Sequence, residues 1–169
     1  AGTSHYAGMV GKYWIESLAK ISVNVETAAE YRYRSPFQDP NSLALVISQS
    51  GESLDTLMAM RHAAEAGMKT VSIVNNIGST IDRESKYSLY TRAGAEIAVA
   101  STKAFTAQLS ILLCLGIALA EQKELNKEEI LNLKESLFKI PGSIARALKI
   151  ESNIQETVQD IIKSQSCLY

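Results

Sequence analysis

The sequence predicts an α/β fold with a largely parallel sheet, on three observations. Short β-branched or apolar runs alternate with segments of helical periodicity. One of those runs, "LALVIS" at 43–48, is apolar almost throughout, as a strand covered on both faces is. The same run opens directly onto "SQSGES" at 48–53, a stretch of hydroxyls and one glycine after which a helical pattern begins.

The elements follow in order. Between His5 and Ala19 the apolar residues Ala7, Val10, Trp14, Ile15 and Leu18 recur at three and four, one face of an amphipathic helix. Four strands are expected next: "ISVNVE" at 21–26, alternating and β-branched; "LALVIS" at 43–48; "TVSIVNN" at 70–76; and a weaker "YSLYT" at 87–91. Leu54, Leu57, Met58 and Ala64 predict a helix between the second and third, closed by Gly67. A helix beginning near Ser101 carries Phe105, Leu109, Leu112, Leu113, Gly116 and Ile117 on one face. Ile111, Leu115 and Leu119 make its other side apolar too, so burial by both the sheet and a partner is expected. An Asn cap and acidic first turn start a helix at 126–138, "IPGS" breaks it, and Ile144, Leu148, Ile154, Val158 and Ile161 line a last helix. The organisation is therefore a domain over 1–125 followed by C-terminal helices over 126–169, either packed on that domain or reaching to another. "SQSCLY" at the end resembles the opening of a strand.

Composition narrows the function. A net charge of −1 with no long Lys/Arg run argues against nucleic acid or an anionic membrane as partner. Two cysteines, Cys114 and Cys167, form neither a disulfide framework nor a Cys-x-x-Cys metal motif, which fits a reducing cytoplasm. The apolar run 111–120 is about half the ~20 residues that span a bilayer. No His, Cys, Asp and Glu cluster has metal-ligand spacing, so neither metal nor cofactor is expected. G-x-x-x-x-G-K-[ST] and G-x-G-x-x-G are absent, which lowers nucleotide binding in rank.

In parallel sheets ligands gather at strand carboxyl ends, where helix N-termini offer unpaired N–H groups. Ser48, Gln49, Ser50, Gly51 and Ser53 supply hydroxyl and amide donors, so a phosphate can be held there without a cationic side chain. Glu52 and Asp55 count against that unless they face away, and the same residue types also suit simple caps and turns. Two further loops share the chemistry: Gly2-Thr3-Ser4, and Val99-Ala100-Ser101-Thr102-Lys103. All three open helices, and convergence on one edge of the sheet is the expectation. Lys103 either attracts phosphate or simply occupies a first helical turn. His5 and Glu96 are the available general bases, and His62 lies mid-helix.

"GTS" at 2–4, "SQSGES" at 48–53 and "EIAVASTKAFTAQL" at 96–109 resemble the first sugar isomerase (SIS) domain of the glucosamine-6-phosphate synthase family, the glutamine–fructose-6-phosphate aminotransferases. "AAEYRYR" at 28–34 and "RESKYSLYTRAGAE" at 83–96 extend the likeness over essentially the whole chain. The resemblance implies a three-layer αβα sandwich around a five-stranded, mostly parallel sheet, and a cytoplasmic homodimer making glucosamine 6-phosphate from fructose 6-phosphate and glutamine. By position, Ser48, Gln49, Ser50 and Ser53 match residues that hold the sugar phosphate, with Ser4 near it, while Thr3 and Val99 match residues that touch the sugar; Ser101 belongs to the same matched run. Gly2 follows Ala1 where the family often has Ala-Cys-Gly, and Ser53 replaces a common threonine. In that family the glutaminase nucleophile, a second SIS domain and the isomerisation glutamate, histidine and lysine lie elsewhere in the full chain. A fragment that binds phosphosugar without catalytic residues of its own is thus expected, and its partners are the second SIS and glutaminase domains. A phosphosugar-sensing module and a stand-alone sugar-phosphate isomerase are the alternatives.

Overall fold

The computed structural model describes residues 2–34, 39, 41–97, 101–162 and 164–166. Val99 and the 167–169 stretch expected to open a strand lie outside them. The chain divides into two compact units, 1–127 and 128–169.

In the first unit the order is α1 (Thr3–Ala19), α2 (Ala28–Tyr31), β1 (Leu43–Ser48), α3 (Leu54–Glu65), β2 (Lys69–Val74), α4 (Thr80–Glu84), β3 (Tyr87–Tyr90) and α5 (Lys103–Gln122). β1 pairs with β2 and β2 with β3, both in parallel, with Ser48 opposite Val74 and Val74 opposite Tyr90. The side-chain period of two then divides each strand between the faces. Leu45, Ile47, Ile73 and Leu89 pack with Ala7 of α1 and with Phe105, Leu109 and Leu112 of α5. Val46, Val74 and Tyr90 pack with Leu57 and Met60 of α3 and Ile81 of α4. Apolar burial on both faces is why β1 reads as a nearly continuous hydrophobic run, whereas in β2 and β3 Ser72 and Ser88 interrupt it and hydrogen-bond to each other at 3.0 Å.

Three strands, not five, are paired among the described residues, and "ISVNVE" is not one of them. Ile21, Val23 and Val25 are half-buried while Ser22, Asn24 and Glu26 are exposed, so the alternation in sequence is real. The segment lacks a ladder: the Val23 N–H donates to the Glu16 carboxylate at 3.0 Å instead of to a neighbouring strand. Alternation reports which face a residue takes, not whether a neighbour is there to pair with.

α1 and α5 cross closely and in parallel. A Cβ on Gly11 would lie 3.0 Å from Leu112 Cδ2, and one on Gly116 would lie 3.7 Å from Ile15 Cγ1. Further along, the Asn126 amide donates to the Leu18 carbonyl at 3.3 Å. Burial on α5 follows one stripe, Ala104, Gln108, Leu112, Gly116 and Ile117, whereas Thr106, Cys114 and Ala118 are exposed. Ile111, Leu115 and Leu119 on the other side are half-buried, Ile111 against the sheet-facing core. α5 is also the one described helix long and apolar enough to cross a membrane, and its buried stripe is seated on α1 and the sheet.

The second unit contains α6 (Lys127–Ala147, begun in the first unit), a 3-10 turn at Leu148–Ile150 and α7 (Glu151–Ile161). Pro141 does not end α6, contrary to the expected break at "IPGS"; the helix runs through it and interrupts only at 148–150. Proline removes one N–H donor and crowds the carbonyl four residues back, which bends or weakens a helix without requiring that it stop.

Candidate functional site

The strand order brings the loop after β1 beside the loop after β2, and that second loop holds it. The Asn75 N–H donates to the Gln49 carbonyl at 3.2 Å, and the Ile81 N–H donates to the Gly51 carbonyl at 3.0 Å. Gly51 has φ +69°, and a Cβ there would fall 2.0 Å from Ser79 Oγ, so only glycine fits against Ser79.

Within the loop the hydroxyls turn inward as acceptors. Ser48, 4% exposed, accepts the Gly51 N–H at 3.0 Å. Ser50 accepts the Glu52 N–H at 3.2 Å. Two backbone donors that the sequence offered to a ligand are thereby spent on serine oxygens, which leaves the hydroxyl protons as the donors. Ser53 is the N-cap residue of α3 but its side chain makes no cap bond, so its hydroxyl and the first-turn N–H groups also stay open.

The two acidic residues of this stretch are drawn off. Glu52 accepts the Thr80 N–H at 2.8 Å, and hydrogen bonding from Thr80 holds its carboxyl below the usual range. Asp55 pairs with Arg32 Nη1 at 2.8 Å. The loop keeps its hydroxyl donors and has its negative charge engaged outside it.

The other two loops reach the same edge. Ala7, one turn into α1, packs on Ile73, and a Cβ on Gly8 would lie 3.8 Å from Ile47 Cδ1. Both strand residues are penultimate in their strands, so the first turn of α1 stands at the carboxyl ends of β1 and β2. α5 runs parallel to α1 and begins beside it, with Gln108 Nε2 donating to Ser4 Oγ at 3.1 Å. The described residues bring the starts of α1 and α5 together, with the first turn of α1 at the carboxyl ends of β1 and β2, while Val99 and Ala100 of the third loop lie outside them.

The chemistry of the third loop differs from the expectation. Glu96 accepts the Thr102 N–H at 3.3 Å, the Ala104 N–H at 3.2 Å and the Thr102 hydroxyl at 3.3 Å. Those bonds, the Ala104 N–H foremost, hold the Glu96 carboxyl below its ordinary value. A resident carboxylate therefore fills the N-terminus of α5, and Glu96 is engaged as its cap. Ser101 is half-buried in this turn, and Lys103 is exposed. His5 Nδ1 is buried without a hydrogen-bond partner, as is Gln108 Oε1.

Asn75 escaped the sequence reading. Its Nδ2 donates to the Gly94 carbonyl at 2.7 Å, while Oδ1 accepts the Thr91 hydroxyl at 3.0 Å and the Ala93 N–H at 2.9 Å. It ties the ends of all three strands together. The only signal was position, an asparagine directly after a strand, where Asx side chains replace backbone partners. Ser79 and α4 were missed for the same reason, since a five-residue helix has too few positions to display a period.

An open parallel sheet whose strand carboxyl ends meet three helix starts, one through a glycine-dependent serine turn, defines an α/β domain with its functional edge at those ends. The SIS domain model matches residues 1–118, and the chain belongs to that family. It is 48% identical over 170 aligned residues to glutamine–fructose-6-phosphate aminotransferase (isomerizing) of Neisseria meningitidis serogroup A, covering 99% of this chain and 28% of the relative. The enzyme of the same name from Corynebacterium glutamicum is 46% identical over 99% of this chain and 27% of its own length. Among solved structures, the C-terminal domain of glucosamine-fructose-6-phosphate aminotransferase from Francisella tularensis superposes with TM-score 0.89 at 39% identity, covering 98% of this chain and 47% of that one. The chain thus spans little more than a quarter of the length of the curated relatives it matches.

Proposed function

We propose that this chain is the phosphosugar-holding SIS domain of an isomerizing glutamine–fructose-6-phosphate aminotransferase, which converts fructose 6-phosphate and glutamine to glucosamine 6-phosphate and glutamate. The observation that carries the reading is the β1–α3 turn: Ser48 and Ser50 accept backbone N–H groups and so keep their hydroxyl protons for an anion, while Arg32 and Thr80 engage the nearby carboxylates. Ser48, Gln49, Ser50 and Ser53 hold the phosphate, Ser4 lies near it, and Thr3, Val99 and Ser101 line the sugar side.

The role is positioning. Anchoring C6 through the phosphate fixes C1 and C2 against reacting groups elsewhere, and binding energy from the non-reacting end lowers the barrier at the reacting end. Within this chain Glu96 is engaged as a cap. The catalytic groups belong to the second SIS domain, and the ammonia source to the glutaminase domain, of the parent enzyme. In that setting the sheet is five-stranded and the domain a three-layer αβα sandwich within a cytoplasmic homodimer, with 126–169 leading to the second SIS domain.

Calorimetric titration tests the reading. Fructose 6-phosphate and glucosamine 6-phosphate bind the 169-residue chain, unphosphorylated fructose does not, and no glucosamine 6-phosphate forms when glutamine is added. Equal affinity for fructose and fructose 6-phosphate would overturn it.

A further inference from the structure

Gln108 has no part in the assignments above, yet it is 1% exposed near the N-terminal end of the α1–α5 contact, among the largest fully buried side chains. Glutamine is seldom so enclosed. Its Nε2 donates to Ser4 Oγ at 3.1 Å across 104 residues of sequence, while its Oε1 is buried without a partner. Packing alone does not account for this side chain, since methionine or leucine would fill the space without leaving a desolvated carbonyl.

We propose that Gln108 is a positioning residue that orients the Ser4 hydroxyl toward the bound phosphosugar, an inference that rests on the function proposed above. A serine hydroxyl has one proton and two lone pairs. With one lone pair taken by the Gln108 amide, the proton must turn away from Gln108, and no described residue accepts it. Ser4 is the second residue of α1, whose N-cap is Gly2 and whose first turn has no side-chain cap. The Ser4 hydroxyl and the Thr3 and Ser4 N–H groups are therefore donors left open at the strand carboxyl ends, where the serine turn also stands. An oriented donor binds an anion more tightly than a free rotor because its ordering cost has been met in the fold. Gln108 does this from outside the site.

The test is a double-mutant cycle on fructose 6-phosphate affinity, read by calorimetry for the wild-type chain, Gln108→Met, Ser4→Ala and the double variant, with Gln108→Leu as a second way to remove the donor without adding a polar group. Gln108→Met, Gln108→Leu and Ser4→Ala each weaken binding about tenfold, and Gln108→Met adds nothing once Ser4 is alanine, because the two act through one hydroxyl. Unchanged affinity in Gln108→Met, or an equal further loss in the Ser4→Ala background, overturns the inference in favour of a packing role. Ser48→Ala/Ser50→Ala separates the two levels. If that variant loses binding while both Gln108 variants keep it, only the role of Gln108 falls; if the wild-type chain takes up no fructose 6-phosphate, the proposed function falls with it.

Discussion

The turn that opens α3 and the turn that opens α5 are built from the same residue types at the same edge of the sheet, and they end in opposite electrostatic states. At the start of α3, Glu52 just before it and Asp55 in its first turn are bound by Thr80 and Arg32, and the helix N-terminus has no side-chain cap. Before α5, Glu96 occupies the helix N-terminus through two N–H groups and a hydroxyl. A helix N-terminus attracts anions in general, but a resident carboxylate satisfies it as well as a ligand does. Serine and threonine content therefore does not mark an anion site; what matters is where the neighbouring carboxylates go.

The largest effect is expected from breaking the geometry of the first turn. Gly51→Ala puts a methyl 2.5 Å from Ser79 Cβ at a backbone φ of +69°. Left-handed strain and overpacking together cost about 2–4 kcal/mol, read as a lower urea midpoint with unchanged slope. Adding Ser79→Gly recovers the steric part but not the strain.

Next comes Ser48→Ala/Ser50→Ala, which removes two hydroxyl donors and the acceptors for the Gly51 and Glu52 N–H groups. At about 1.5–3 kcal/mol for each bond to a charged group, phosphosugar affinity falls at least tenfold. The same ligand added to Thr102→Ala keeps its affinity, because Thr102 serves Glu96.

The second turn gives a pH signature. The Glu96 carboxyl titrates below its ordinary value when folded, so it contributes stability that is present above the unfolded-chain pKa and is lost as pH falls through the lower folded one. Glu96→Gln should flatten the acid side of the stability profile relative to wild type. A mutant profile that falls as steeply as the wild type would show that the cap carries no linkage. The smallest effect is Arg32→Ala, which frees Asp55 beside the first turn. Exposed ion pairs are worth little, so fructose 6-phosphate affinity drops by less than about fivefold, more at low salt than at high.

Much of this comparison was legible beforehand. The alternation of apolar runs and helical periods placed β1, α3, β2, β3 and α5 within a few residues, because strands buried on both faces and an apolar helix stripe leave strong patterns. Ser48 and Gly51 stood out because a glycine among hydroxyls follows directly on a buried strand, although the same residue types also suit caps and turns. What stayed hidden were partners remote in sequence. Glu52 meets Thr80, Asp55 meets Arg32, and Gln108 meets Ser4, each decided by tertiary packing that no local pattern encodes. Pro141 misled in the other direction: a residue that usually ends a helix sits inside α6. Residues 21–26 carry strand alternation without a ladder, since pairing depends on a neighbour that the segment does not itself specify.

Ligand-dependent thermal unfolding asks whether the β1–α3 turn holds the phosphate of a phosphosugar. At 100 times the dissociation constant a ligand adds ~2.7 kcal/mol, which for a domain of this size raises Tm by about 5–10 °C. That shift is expected with fructose 6-phosphate and glucosamine 6-phosphate, a smaller one with inorganic phosphate, none with fructose, and loss of all of them in Ser48→Ala/Ser50→Ala. A full shift that survives in that variant would place the phosphate elsewhere and contradict the account.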